Sequence, residues 1–411
     1  MADSDTFPRQ YARTRRFTLG EPRTITVSSD GSRIVFLRSR SGVDPVNVLW
    51  TIDAGTGAER VVADPSTLLS DLDESDLPAE ERARRERVRE SGGGITSYAT
   101  DDAVAVAAFT IAGRLFVASL VDGTARELAV AGPVFDPRPD PLAQRAAYVS
   151  GRLLCVGELD GTWRVLAGDD PDEPDTVSWG SAEFVAAEEM DRQRGFWWSP
   201  DGTTIAACRV DVAAVPLWTI ADPSDPSSPP VQHRYPSAGS ENADVRLFLL
   251  PLDGDEREVE VRWDRDAFPY LADVRWDDHG LALTLQSRDQ RTLAVVRADP
   301  ETGNTVGLFA DQDEQWVELV PGSPRHDHLG RLVVCADRDD APTARGWRRD
   351  DTSRSAGAGC ARRTESGIVY TANPVTDATV QHVWRLLPDG SNEALTDEPG
   401  VHSASAVARR W

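Results

Sequence analysis

The stretch Trp197-Trp198-Ser199-Pro200-Asp201-Gly202-Thr203-Thr204-Ile205-Ala206-Ala207-Cys208 joins a polar turn to an apolar strand. Asp-Gly supplies the backbone freedom of a tight hairpin turn. The same unit recurs at Ser29-Asp30-Gly31-Ser32-Arg33-Ile34-Val35-Phe36-Leu37 and at Trp276-Asp277-Asp278-His279-Gly280-Leu281-Ala282-Leu283, and more weakly at Asp327-His328-Leu329-Gly330-Arg331-Leu332-Val333-Val334. A second unit runs from an apolar strand into a polar turn. It appears at Leu115–Gly123, Leu153–Gly161, Leu247–Gly254 and His382–Gly390. The two alternate at intervals of roughly 40 to 50 residues, the spacing of four-stranded propeller blades. One such blade cannot bury both faces alone, and stacked neighbours supply the missing surface. The fold expected over 1–411 is therefore all-β, a β-propeller of about seven to eight four-stranded blades, incomplete at its C-terminal end, with a short helical insertion.

Two segments interrupt the repeat. Residues 66–90 are charged and end in Ala79-Glu80-Glu81-Arg82-Ala83-Arg84-Arg85-Glu86-Arg87-Val88-Arg89-Glu90. Glu80/Arg84 and Glu81/Arg85 have the i,i+4 spacing and polarity that support a helix, so a helical insertion between the first two blades is expected. Residues 339–367 contain no Val, Ile, Leu, Met, Phe or Tyr, where a blade's strands should be. An irregular segment of that length is unusual inside a compact domain. A surface insertion and a local disruption of the reading frame both account for it. Resequencing the locus decides between them: an intact gene with no strand-like alternative frame sinks the second.

Composition bounds the function. The formal net charge of −24 opposes binding to nucleic acid or to an anionic membrane surface. Every basic side chain other than histidine is arginine, which codon bias explains. Cys155, Cys208, Cys335 and Cys360 stand far apart, without a CxxC pair or a histidine at metal spacing. The six histidines suggest no cluster. No cofactor or metal is expected. The N-terminus shows no apolar leader and no apolar run reaches membrane-spanning length, so a cytoplasmic protein is expected.

Glu188-Glu189, shortly before Gly195-Phe196-Trp197-Trp198, is the pair that suggests a site. Ala186 to Arg194 favours helix, where successive residues diverge by about 100° and can flank one ligand. Two carboxylates suit a compact ammonium with three donors.

At this pair and at Trp197-Trp198-Ser199-Pro200-Asp201-Gly202, the chain resembles the N-terminal β-propeller of the dipeptidyl peptidase IV branch of the prolyl oligopeptidase family, bacterial type. Val215-Pro216-Leu217, Arg234-Tyr235-Pro236-Ser237-Ala238-Gly239-Ser240-Glu241-Asn242-Ala243 and Val245-Arg246-Leu247-Phe248 follow in the same order. The charged 79–90 stretch is similar as well. The resemblance implies that Glu188 and Glu189 hold the free α-ammonium of a peptide substrate. It also implies an arginine contacting the substrate backbone, for which Arg85 and Arg89 are candidates, and an aromatic near the substrate, for which Trp316 is a candidate.

The family's peptidase chemistry needs a serine on a G-x-S-x-G elbow, then Asp and His, on an α/β-hydrolase domain. This sequence has no G-x-S-x-G. No catalytic residue is assigned, and the hydrolase domain is expected to be absent. Three readings stay open. The chain is the binding half of a serine dipeptidyl peptidase, inactive alone; it is a stand-alone module binding peptides or a partner protein; or it docks with a separate α/β-hydrolase chain. Oligomeric state is left open.

Overall fold

A computed structural model describes residues 6–69, 93–221, 223, 227, 229–253, 257–327, 329–338, 341–346, 356–364, 367–374 and 377–405. Strands dominate, in antiparallel sheets whose members follow one another along the chain. The first sheet joins β1 (Arg23–Val27), β2 (Arg33–Ser39), β3 (Val46–Asp53) and β4 (Glu59–Ala63), and β5 (Gly93–Gly94) adds to β3 in parallel. The second joins β6 (Tyr98–Thr100), β7 (Val106–Ile111), β8 (Arg114–Ser119) and β9 (Thr124–Leu128). The third joins β10 (Phe135–Pro139), β11 (Arg145–Ser150), β12 (Leu153–Glu158) and β13 (Trp163–Ala167).

The fourth sheet contains β14 (Val177–Trp179), β15 (Phe196–Trp198), β16 (Thr204–Asp211), β19 (Asp244–Pro251) and β20 (Val259–Val261). A separate hairpin, β17 (Leu217–Ile220) with β18 (Val231–Arg234), lies between β16 and β19 in sequence. The fifth sheet joins β21 (Tyr270–Asp277), β22 (Gly280–Gln286), β23 (Thr292–Ala298) and β24 (Thr305–Gln312). The last runs through β25 (Arg325–His326), β26 (Leu332–Arg338), β27 (Ala341–Gly346), β28 (Ala356–Thr364), β29 (Gly367–Asn373), β30 (His382–Leu386) and β31 (Asn392–Ala394) in one ladder. Three short helices complete the described chain: α1 (Phe7–Arg13), α2 (Pro65–Leu68) and α3 (Phe184–Glu189).

These are propeller blades, six of them rather than the seven or eight expected. The β17–β18 hairpin pairs only with itself and the last sheet gathers seven strands, so the described chain is spread over fewer blades than the repeat spacing suggests. The segment 339–367, expected to be irregular, carries β27 and β28. Ladder bonds are made by the backbone, so Gly, Ala, Ser and Thr can pair without the apolar alternation that reveals a strand in sequence. Of the expected helical insertion at 66–90, α2 supplies the start, and its Asp64 cap accepts the Ser66 N–H at 2.9 Å. The rest lies outside the described residues.

The chain divides into two compact units: residues 1–151, 156–164 and 320–411 form one, and 152–155 with 165–319 the other. Each unit has its own core. In the first, Val35, Leu37 and Leu49 pack with Ile95, Ala107, Phe109 and Phe116, so the first two sheets cover each other. The rings of Phe109 and Phe116 stack at 5.8 Å. In the second, Trp197, Cys208, Leu247 and Leu249 pack with Leu271, Val274, Leu281 and Leu283. Burying one such Leu contributes about 1.5–3 kcal/mol. This is the neighbour-supplied burial that the repeat requires. Arginine also bridges consecutive sheets: Arg33 donates to Val104 O at 2.8 Å, and Arg60 to Leu120 O and Val121 O at 3.1 and 3.0 Å. A rigid fork of donors suits carbonyls on a neighbouring strand end.

Turns from first to second strand repeat one device. Ser28 and Ser199 hydroxyls donate to Asp30 and Asp201, both at 2.6 Å, and accept the Arg33 and Thr204 N–H groups. The Ser28 hydroxyl, with the Ser32 N–H and hydroxyl, holds the Asp30 carboxyl well below the usual range. Asp101, Asp140 and Asp327 do the same work without a serine, accepting N–H groups of Val106, Gln144 and Arg331 at 2.7, 2.7 and 2.8 Å.

Asp140 is buried, and burial pushes its carboxyl above the usual value despite the Gln144 N–H. A raised carboxylate pKa means that the ionised form burdens the fold above that pKa, and that the burden lifts as pH falls through it. Asp140→Asn keeps an oxygen for the Gln144 N–H. It should therefore raise the urea midpoint at pH 7, with the gain shrinking towards pH 4. A midpoint at pH 7 equal to or below the parent's refutes this.

Candidate functional site

The fourth blade builds its first strand in two pieces. β14 pairs with residues 209–211 of β16, and β15 pairs with residues 205–207 of the same strand. Cys208 stands at the break. Its carbonyl accepts the Gly180 N–H at 2.9 Å and its own N–H donates to Gly195 O at 2.8 Å. Residues 181–194 leave the sheet between these two bonds and return, and α3 forms within that excursion.

The excursion closes tightly. A Cβ on Gly195 would stand 2.4 Å from the Ser181 carbonyl carbon and oxygen. Only glycine lets the outgoing and returning limbs approach so closely. The aromatic run that follows, Phe196-Trp197-Trp198, is buried and anchors the returning limb in the core.

Glu183 begins the helix. Its backbone is extended and its carboxylate accepts the Val185 and Ala186 N–H groups at 2.5 and 2.8 Å, as an N-cap does. Ala186, Ala187 and Met190 form the buried face. Glu188 and Glu189 fall on the exposed side of the last turn. At that end, Gln193 Nε2 donates to Ala187 O at 2.6 Å, and Asp191, with φ +54°, reverses the chain. Sequence placed the helix over 186–194. It starts earlier, after the Glu183 cap, and ends at Glu189, with the positive φ of Asp191 turning the chain back towards the sheet as β15.

Arg192, on the returning limb, is buried. Its Nε donates to Leu271 O of β21 at 2.9 Å and its Nη1 to Arg194 O at 2.9 Å. Nη2 lies 3.8 Å from the Glu183 carboxylate. Arg194 donates twice to Phe196 O and lies over the Trp197 ring, 5.3 Å from its centroid. Phe184, at the helix start, meets Tyr235 edge-on at 5.1 Å, and Tyr235 meets Trp218 at 5.5 Å. Phe184 and Glu188 are four residues apart, so they share a helix face.

Two like charges at a helix C-terminus face the negative end of the backbone dipoles. A cation bonded by both carboxylates would offset that repulsion. Glu188 and Glu189 are adjacent on the exposed side of the last turn of α3. Trp316 is 58% exposed in the connection after β24, and its indole N–H donates to Glu318 and its backbone N–H to Asp313, both in its own turn. Arg85 and Arg89 lie outside the described residues. Glu183, Arg192 and Gly195 went unrecognised as parts of the site, although Gly195 stands in the run that marked it.

Elsewhere, His382 and His402 stack at 5.7 Å, a pairing that sequence separation concealed. No group of three or more His, Cys, Asp or Glu that could hold a metal occurs among the described residues. No helix among them is long and apolar enough to cross a membrane.

Consecutive four-stranded sheets, with the first strand of the fourth interrupted by a helical excursion, define a β-propeller. The family model for the dipeptidyl peptidase IV (DPP IV) N-terminal region matches residues 107–340, more than half of the 411. The chain belongs to that family. It is 28% identical over 276 residues to a probable dipeptidyl-aminopeptidase B of Aspergillus oryzae, covering 55% of this chain and 30% of that protein. It is 26% identical over 174 residues to human dipeptidyl peptidase 8, covering 37% of this chain and 19% of that protein. The crystal structure of Porphyromonas gingivalis dipeptidyl peptidase 4 matches 92% of this chain and 54% of its own at a TM-score of 0.72 and 18% identity. That last likeness concerns the fold. The match to the fungal protein spans under a third of its length.

Proposed function

We propose that this chain is the substrate-gating, N-terminus-binding propeller of a dipeptidyl peptidase IV-like serine peptidase. Glu188 and Glu189 receive the α-ammonium of a peptide. The supporting observation is that the two carboxylates share the exposed last turn of a helix whose other face is buried and whose ends are capped.

The chemistry follows from the charges. An ammonium carries three donors and no acceptor, and two carboxylates bond it better than either alone. Fixing the N-terminus sets how many residues of the peptide reach a cleaving centre, so removal of dipeptides follows from a fixed span. Nucleophile, base and oxyanion hole belong to an α/β-hydrolase module, covalently attached or docked. The 411 residues alone bind and do not cleave.

A peptide with a free N-terminus and its N-acetylated twin separate the parts. The parent should prefer the free amine, and Glu188→Gln or Glu189→Gln should each weaken it by roughly tenfold or more, the value of one charge-assisted bond. The acetylated peptide should be indifferent to both. Equal binding of the two peptides by the parent removes the ammonium-clamp role. Sustained turnover of an Xaa-Pro chromogenic dipeptide by the highly purified chain would contradict the proposed inactivity.

A further inference from the structure

We propose that Arg192 is a positioning residue for the glutamate pair, acting through the helix rather than on the ligand. The inference rests on the ammonium-binding reading above and adds to it a residue that fixes the geometry of the site.

A helix of six residues does not hold itself together in water. This one also ends in two adjacent negative charges. Its orientation must come from outside. The N-cap bonds of Glu183 fix the first turn, and the Gln193 amide fixes the last. Neither attaches the helix to the body of the protein. Arg192 does. One buried guanidinium reaches the first strand of the next blade at Leu271 O, the returning limb at Arg194 O and the Sγ of Cys208 at 3.8 Å. On its remaining side it faces the Glu183 carboxylate at 3.8 Å, too long for a hydrogen bond and close enough for strong attraction in a buried setting. The Arg192 backbone N–H also donates to Ala186 O at 2.9 Å. The Glu183 cap and two blades therefore meet at one side chain, and the backbone of the same residue ties it to Ala186 of the helix.

The geometry demands arginine. Leu271 O and Arg194 O are met by different nitrogens of one planar fork, while Nη2 is left towards Glu183. A lysine ammonium carries the charge but cannot span these directions. Arg192→Lys should consequently let the helix tilt. Small misplacement of groups that must converge on one ligand atom weakens them together.

The test uses the full 411-residue chain and the same peptide pair. Arg192→Lys should melt as a folded protein and lose the free-amine preference by roughly tenfold or more, with the acetylated peptide unchanged. A purely structural role would lower the melting temperature and leave the ratio of the two affinities in the folded protein at the parent value. That outcome overturns the proposal, with the ammonium reading intact. A parent that fails to distinguish the two peptides sinks both ideas, so the two failures are distinguishable. If Arg192→Lys does not fold, Glu183→Gln decides. It removes the charge opposite the guanidinium and keeps an amide oxygen for one of the two helix N–H groups that the carboxylate holds. A reduced preference supports the proposal, and an unchanged one overturns it.

Discussion

Gly195→Ala should lower the melting temperature and remove the free-amine preference in one step. The added methyl would meet the carbon and oxygen of Ser181 at 2.4 Å and its nitrogen at 2.5 Å, and all three are backbone. No side chain can rotate aside. The limbs cannot slide along the sheet either, since Gly180 and Gly195 are both bonded to Cys208. Relief comes only by spreading the excursion, which moves α3 and its carboxylates. Overpacking of this kind typically costs about 1–3 kcal/mol, and immobile backbone on both sides points to the upper end. Gly307→Ala is the matched control, because a Cβ there meets nothing within 4 Å. Thermal melts and the paired peptide affinities read both effects. A variant that melts and discriminates like the parent disproves the close-approach argument.

Gly303→Ala should destabilise the same unit at a place remote from the ligand. Gly303 has φ +71°, and a Cβ would stand 2.0 Å from Glu260 O. The turn between β23 and β24 lies directly on β20 of the preceding blade. Arg262 N–H donates to Gly303 O at 2.7 Å, and the Thr305 hydroxyl to Arg262 O at 2.7 Å. Left-handed backbone adds about 1–2 kcal/mol to an overpacking term of about 1–3 kcal/mol, for a total of roughly 2–5 kcal/mol. The urea midpoint should fall while peptide discrimination in the remaining folded protein stays at the parent ratio. An unchanged midpoint would mean that the two blades are not stitched through this turn.

How much of this was legible in the sequence depended on which groups carry the structure. Asp-Gly turns announce themselves, and those at Asp30 and Asp201 proved to be blade turns. The equivalent turns at Asp101 and Asp140 were missed because no glycine marks them; their carboxylates accept backbone N–H groups in its stead. The glutamate pair was visible because two exposed charges beside a buried aromatic run are uncommon. Its supports were not. Glu183 is outside the usual Ser, Thr, Asp and Asn caps. Arg192 is one arginine in a chain rich in them, and only three-dimensional contact separates it from the arginines on the surface. The count of blades failed for a related reason: period measures chain consumed, and connections consume chain without adding strands.

The interrupted first strand has a consequence for how this blade tolerates change. Both halves take their register from β16, and the flanking bonds to Cys208 fix where the chain departs and where it rejoins. Changes at the exposed positions between residues 180 and 195 leave the pairing of the other strands untouched. Doubling such a loop adds only about 0.6 kcal/mol of closure entropy. The sheet thus behaves as a frame holding an exchangeable cassette. The exposed side of that excursion can be lengthened, recharged or redirected without the propeller having to refold around it.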